Sequence, residues 1–262
     1  MPLFARFLPR ARMRDEGVTR RRVEVDGTPT AWAERPADGP PSAPPLVLVP
    51  GLSMSWRAYR WMLPHLPSDR LVLAVDPPAA GRSGRPGERL DATAQAAHLA
   101  AWLERLGHRG VDLVGHSLGA LTVARLAGTR PDLARRLVLV GPSPDAHLPR
   151  VRDHLLALAC DALRERPRVI LQAVTDYVRA DPALLAAFAA QVGTPADEVM
   201  HAVRAPVVVV RGGRDGVAGR RWCQDLAGAV ADGRVLTLPR GTHGLPQHDP
   251  ADLAAVVRAV LG

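Results

Sequence analysis

The stretch Val111-Asp112-Leu113-Val114-Gly115-His116-Ser117-Leu118-Gly119-Ala120-Leu121 decides how this chain folds. The short apolar segment Val111 to Val114 reads as a buried strand, and Leu118 to Ala127 reads as a helix. Only Gly115, His116 and Ser117 separate them, too few for a loop, so the chain must turn sharply with Ser117 at the apex. Such a turn strains the serine backbone, and glycines at 115 and 119 leave room for strand and helix to approach closely. The pentapeptide Gly-x-Ser-x-Gly is weak evidence on its own; the strand before it and the helix after it make it informative.

Working outward, Leu46 to Val49, Leu71 to Val75, Leu137 to Val140 and Val207 to Val210 are further short apolar runs. Runs of this kind mark strands covered on both faces, and hence a parallel sheet. Helical patterns lie between them, as in Asp91 to Leu106, where Ala94, Ala97, Leu99, Trp102, Leu103 and Leu106 mark the expected apolar side. Val235 to Leu238 and Ala251 to Leu261 supply a last strand and a closing helix. Arg22 to Val25 and Thr30 to Glu34 read as a hairpin joined at Asp26-Gly27, and the prolines between 36 and 45 end that ladder. The fold class is therefore α/β: a mostly parallel, eight-stranded sheet with helices on both faces. Alternation stops between Ser143 and about Arg204, where helical stretches centred on 152–163, 167–178 and 182–190 follow one another. The expected organisation is a basic flexible arm over 1–20, a core over 21–144 and 205–262, and an inserted helical cap over 145–204.

The chain has 262 residues and a formal charge of +8, and all of its 34 basic residues are arginine. Arginine without lysine points to coding bias, and most arginines are scattered among acids, so neither a nucleic acid nor a membrane partner is expected. No apolar run reaches the roughly 18 residues of a membrane span. The amino-terminal arginines run into charged, strand-like sequence without the apolar core of an export signal. With Cys160 and Cys223 far apart, the expected setting is a reducing cytoplasm without disulfides, and the expected assembly a monomer or homodimer.

A serine hydroxyl becomes nucleophilic when a histidine removes its proton and a carboxylate orients that histidine. Loops after later strands carry the candidates: Arg211-Gly212-Gly213-Arg214-Asp215-Gly216 and Pro239-Arg240-Gly241-Thr242-His243-Gly244. The order Ser117, Asp215, His243 suits a doubly wound sheet. Asp145, after the preceding strand, is the alternative acid, and His248 the alternative base.

On these separately placed motifs the chain resembles the α/β-hydrolase family over nearly its whole length after the arm. The resemblance implies an oxyanion loop at Val49-Pro50-Gly51-Leu52, with the main-chain N–H groups of Leu52 and Leu118 forming the hole; Pro50 departs from the histidine usual before this glycine. Asp76-Pro77-Pro78-Ala79-Ala80-Gly81-Arg82-Ser83 resembles the family's Asp-x-Pro-Gly-x-Gly-x-Ser segment, which implies a structural role. The expected function is hydrolysis of an ester, thioester or related acyl bond of a small molecule through an acyl-enzyme. Alternatives are C–C bond hydrolysis, acyl transfer or cofactor-free perhydrolysis by the same triad, and ligand binding without catalysis. Ser53, Met54, His116 and Leu155 are substrate-contact candidates, although the His116 ring is expected to point away from the nucleophile. Leu156, Leu158 and Ile170 are further candidates for an apolar pocket, and Arg150, Arg152, Arg164, Arg166 and Arg168 for a carboxylate site. Trp56, Tyr59 and Trp61 are expected to pack beneath the entrance. Neither a zinc-type ligand spacing nor a nucleotide loop is present, so no metal and no cofactor is expected.

Overall fold

The computed structural model describes residues 17–87, 90–178, 181 and 183–262. Most of the arm, residues 1–16, lies outside the described residues. Strand β1 already begins at Thr19 and runs to Val25, pairing antiparallel with β2, Thr28–Arg35. Val25 faces Thr28, so Asp26 and Gly27 alone make the turn, with φ of 47° and 75°. Two consecutive positive φ angles suit the right-handed twist of a two-residue hairpin.

The remaining strands are β3 (Leu46–Val49), β4 (Val72–Val75), β5 (Val111–His116), β6 (Ala134–Val140), β7 (Val207–Gly212) and β8 (Gly233–Leu238). The eight form one sheet in the order β1-β2-β4-β3-β5-β6-β7-β8. All pairings beyond β2–β4 are parallel. Strand alternation divides the core into two layers. Val47, Val49, Leu73, Leu137, Leu139, Val207 and Val209 face one side, with α1 (Ala92–Arg105), α2 (Leu118–Thr129) and α7 (Arg220–Gly228). Leu46, Leu48, Val72, Val138, Val140, Val208 and Val210 face the other, against short turns at Trp56–Tyr59 and Leu63–His65 and α9 (Pro250–Leu261). Asp112, the one acid within β5, is fully buried and held by Arg70 at 3.1 Å and Arg135 at 3.2 Å.

Helix α1 starts where expected, with the Asp91 carboxylate accepting from the N–H of Ala94 at 2.9 Å. Its buried side differs from the expected one. Ala92, Ala96, Leu99 and Leu103 recur at helical spacing and are buried, while Ala97 is exposed and Ala94 half-buried. The correction is a matter of phase: Trp102 and Leu103 fix the inward face, and Ala97 lies opposite it.

Between β6 and β7 lie α3 (Val151–Ala162), α4 (Pro167–Tyr177), α5 (Ala183–Ala189) and the single turn α6 (Ala196–Val199). Val199 and Met200 bury against α2 and α7, so α6 packs with the core layer. Helices α3 to α5 lie above the carboxyl ends of the parallel strands and expose Leu155, Leu156, Leu163, Leu171, Val174 and Val178. Cys160 and Cys223 are both unbridged. No helix among the described residues is long and apolar enough to cross a membrane.

Candidate active site

Ser117 occupies the turn between β5 and α2 with φ 54° and ψ −123°, a left-handed conformation costly for any residue with a Cβ. Its neighbours explain why the sequence accepts that cost. A Cβ on Gly115 would drive into the carbonyl of Gly119 and sit 2.6 Å from the Cα of Ala120. One on Gly119 would meet the carbonyl oxygens of Val49 and Pro50, with the Val49 carbonyl carbon at 2.9 Å. Strand, helix and the β3 loop therefore converge on backbone packed too closely for side chains, and the serine hydroxyl is left facing outward.

His243, in the loop between β8 and the short turn α8 (Leu245–His248), places Nε2 3.2 Å from Ser117 Oγ and Nδ1 3.1 Å from Asp215 Oδ2. Asp215 sits after β7, where its other oxygen accepts from the N–H groups of Val217 at 2.8 Å and Ala218 at 2.9 Å. Burial opposes ionisation of Asp215, but the charge and hydrogen bond of His243 and these two N–H groups outweigh it, holding the carboxyl below its ordinary 3.8. An ionised Asp215 can only accept, so the proton of neutral His243 lies on Nδ1 and bare Nε2 accepts from the serine hydroxyl. Burial depresses the imidazole, yet Asp215 foremost, with Asp161 and Glu165 adding, raises it above the ordinary 6.5. Ser117, His243 and Asp215 thus form one hydrogen-bonded line.

The two alternatives lie elsewhere. Asp145 accepts from the N–H groups of His147 and Gly219, each at 2.8 Å, and ties the β6 loop to the start of α7. His248 pairs through Nδ1 with Glu165 at 2.9 Å.

The β3 loop presses against the turn: a Cβ on Gly51 would lie 2.9 Å from that of Ser117. The loop is tied down by Asp76, which accepts from the N–H of Trp56 at 2.7 Å and of Arg82 at 2.9 Å, burial lifting this carboxyl to about 6. Leu52 lines the cavity beside Ser117, and Leu118 opens α2, where a main-chain N–H has no partner within its own helix. Ser53 is buried and does not line the cavity; Met54 and Leu155 do.

His116 is among the residues lining the cavity; its ring lies 5.1 Å from that of His243, and Nε2 lies 2.9 Å from the His243 carbonyl. The acceptor is a carbonyl, so Nε2 carries the proton; burial, with the nearby His243 charge, pushes the ring down to about 3 and keeps it neutral. His116 therefore fixes the main chain of His243.

The cavity above Ser117 measures about 310 Å³. Leu155, Leu158, Val169, Ile170, Val174 and Phe188 supply its apolar walls from the helices between β6 and β7. Leu156 points to solvent instead, because it follows Leu155 by one residue and so by about 100° around α3. The candidate arginines Arg150, Arg152, Arg164, Arg166 and Arg168 also stay outside the lining; Arg168 covers the Trp61 ring at 4.7 Å. Trp56 and Tyr59 are core, the Tyr59 hydroxyl donating to the Val49 carbonyl at 2.8 Å. Unforeseen from the sequence are two acids in the lining, Asp161 and Glu165. Asp161 accepts from the main-chain N–H of His243 at 2.9 Å. A wider groove of about 510 Å³ between α1, α2 and α6 holds no paired nucleophile and base.

The profile of the alpha/beta hydrolase fold family matches residues 44–174, half of the chain. Lipase LipV of Mycobacterium tuberculosis is 29% identical over 255 residues, covering 85% of this chain and 95% of its own. A 2-hydroxy-6-oxo-2,4-heptadienoate hydrolase of Pseudomonas putida is 38% identical over 102 residues, 37% of each chain. That match, and one with the acetyltransferase component of the acetoin cleaving system of Pseudomonas putida, span only about a third of the relative's length. Among solved structures, the enol-lactonase of Burkholderia xenovorans LB400 superposes with a TM-score of 0.75 at 20% identity, over 92% of this chain and 99% of the other. The sheet order, the turn at Ser117 and the family match together make this chain a member of the alpha/beta hydrolase fold family.

Proposed function

We propose that this enzyme is a serine hydrolase that cleaves esters or thioesters of small, apolar, uncharged acyl groups. The observation that carries the reading is the line Ser117–His243–Asp215, with contacts of 3.2 and 3.1 Å, at the floor of an apolar cavity. His243 takes the proton of Ser117 as its oxygen attacks the acyl carbonyl, and Asp215 stabilises the imidazolium that forms. The N–H groups of Leu52 and Leu118 receive the oxyanion. Collapse of the tetrahedral species expels the leaving group, protonated by His243, and water activated by the same ring releases the acid.

The helices between β6 and β7 act as the cap over this cavity. Its mouth supports the choice of acyl group, since Leu155, Ile170, Val174, Tyr177 and Leu185 both line the cavity and are exposed to solvent. Its charge supports it too. Asp161 and Glu165 are in the lining and no described arginine is, an environment hostile to an anionic substrate. The dienoate in the name of the Pseudomonas relative bears a carboxylate, so neutral esters are favoured over C–C hydrolysis of such a compound.

The test is a panel of p-nitrophenyl esters of increasing acyl length, a succinyl hemiester as the anionic member, and a fluorophosphonate probe. Turnover of neutral esters and labelling should both vanish in Ser117→Ala. Labelling that persists in this variant, or preference for the hemiester, would refute the reading.

A further inference from the structure

The cap reaches into the core through three acids, Asp161 and Asp176 buried and Glu165 partly buried. Asp161, in the last turn of α3, accepts from the His243 N–H at 2.9 Å. Glu165 accepts from the Thr242 hydroxyl and from the Gly244 N–H at 3.3 Å, and pairs with His248. Three consecutive residues of the histidine loop are therefore held from the cap. Asp176 of α4 does the same to the oxyanion loop, accepting from the Ser55 N–H at 3.3 Å, the Ser55 hydroxyl at 3.0 Å and Arg57 at 3.2 Å.

Asp161 is the least explained of the three as a purely structural group. Its second oxygen is buried and makes no hydrogen bond among the described residues, and no cation pairs with it there. An uncharged asparagine would make the same bond to His243 without burying a charge. The surplus is charge, and the group able to use it is the His243 ring. Around that ring stand Asp215 on Nδ1, Ser117 on Nε2, the neutral ring of His116, Asp161 and Glu165 from the cap, and His248 behind Glu165. Arg211 donates to main-chain carbonyls, of Asp215 at 3.2 Å and Ala218 at 3.4 Å.

We propose that Asp161 is a positioning residue for His243, fixing its main chain by a hydrogen bond and favouring its protonated ring by charge, so that the cap belongs to the catalytic apparatus. The inference rests on His243 being the base that activates Ser117. Burial lifts the Asp161 carboxyl to about 6, tempered by His243, so at neutral pH it carries the charge the proposal needs. When Ser117 yields its proton, the imidazolium is then favoured by the charge of Asp161 as well as by that of Asp215.

Asp161→Asn and Asp161→Ala separate the two effects. The asparagine keeps an acceptor for the His243 N–H and removes the charge. The acid limb of kcat/KM for p-nitrophenyl butyrate should move to lower pH by about half a unit or more, and kcat should fall about three- to tenfold with little change in KM. The alanine also loses the acceptor, and kcat should fall a further tenfold or so. The second readout needs no turnover: in the Ser117→Ala background, NMR titration of the His243 ring should shift to lower pH on adding Asp161→Asn. If the alanine variant does not fold, the isosteric asparagine carries both measurements. A His243 titration unmoved by Asp161→Asn overturns the inference whatever the ester panel gives. A wild-type chain that hydrolyses no ester, with that titration moved, overturns the proposed function and leaves the electrostatic link standing.

Discussion

Asp215→Asn tests the site most sharply, because the surrounding turn dictates which way the new amide must face. Oδ1 accepts from the N–H groups of Val217 and Ala218 at 2.8 and 2.9 Å, while Oδ2 meets His243 Nδ1 at 3.1 Å. Two donors on one side require the amide oxygen there, so the NH₂ group must face Nδ1. Nδ1 then accepts, the imidazole proton moves to Nε2, and Ser117 faces a donor where it needs a base. A wrong tautomer of this kind costs about four orders of magnitude in kcat, equivalent to about 5.4 kcal/mol. Stability should fall less than in an alanine variant, since both turn bonds survive and the side chain keeps its shape, and only the contribution of the charge is lost. Asp215→Ala, by contrast, removes two buried bonds to a charged acceptor, at roughly 3 kcal/mol or more. The assay pairs kcat for p-nitrophenyl butyrate with thermal melting. An Asp215→Asn enzyme that folds cooperatively and keeps more than a tenth of the wild-type kcat would refute this account of the acid.

Four further outcomes follow from the geometry. In the proposed mechanism the base is neutral His243, whose ring is raised above the ordinary 6.5 chiefly by Asp215, so kcat/KM should rise with pH to a half-maximum above that value in a pH–rate profile. Stability should show the opposite signs in pH-dependent melting: the raised histidine stabilises most at low pH and loses its contribution as pH rises through its folded value, while depressed Asp215 contributes above the ordinary 3.8 and loses it on acidification. Gly119→Ala forces a methyl group into the carbonyls of Val49 and Pro50, which should cost roughly 3 kcal/mol, lower Tm by about 6–12 °C and reduce fluorophosphonate labelling. Arg70→Met leaves fully buried Asp112 with only half-exposed Arg135, and chemical denaturation should show a loss of roughly 3 kcal/mol with kcat unchanged.

Much of the fold was legible because apolar patterning and backbone chemistry agreed. Leu46 to Val49 has no polar residue to blur its ends, and the strand has those limits. Asp26-Gly27 forms the hairpin its φ preference requires. Helix α7 was hidden because Arg220-Arg221-Trp222-Cys223-Gln224-Asp225 is mostly polar, has glycine at its N-cap and buries only a narrow stripe. The line Ser117–His243–Asp215 was readable because each member follows its own strand of the parallel sheet. Asp161 was not, for the opposite reason. It lies 82 residues before His243 and accepts from a main-chain N–H, a contact set by how the helices between β6 and β7 dock and by no local spacing. The bond of His116 to the His243 carbonyl was hidden too, because alternation along β5 gives the side a residue leaves from and says nothing of which loop carbonyl its ring meets.

The backbone at Ser117, with φ 54° and ψ −123°, has an evolutionary consequence. Glycine would relax there and every other residue is held under tension, so selection for thermal endurance alone would favour removing the hydroxyl. The position is a gauge of what the molecule is kept for. A lineage that stopped needing the chemistry would be expected to drift toward glycine at this codon, while the glycines on either side, locked by packing, would outlast the activity they serve.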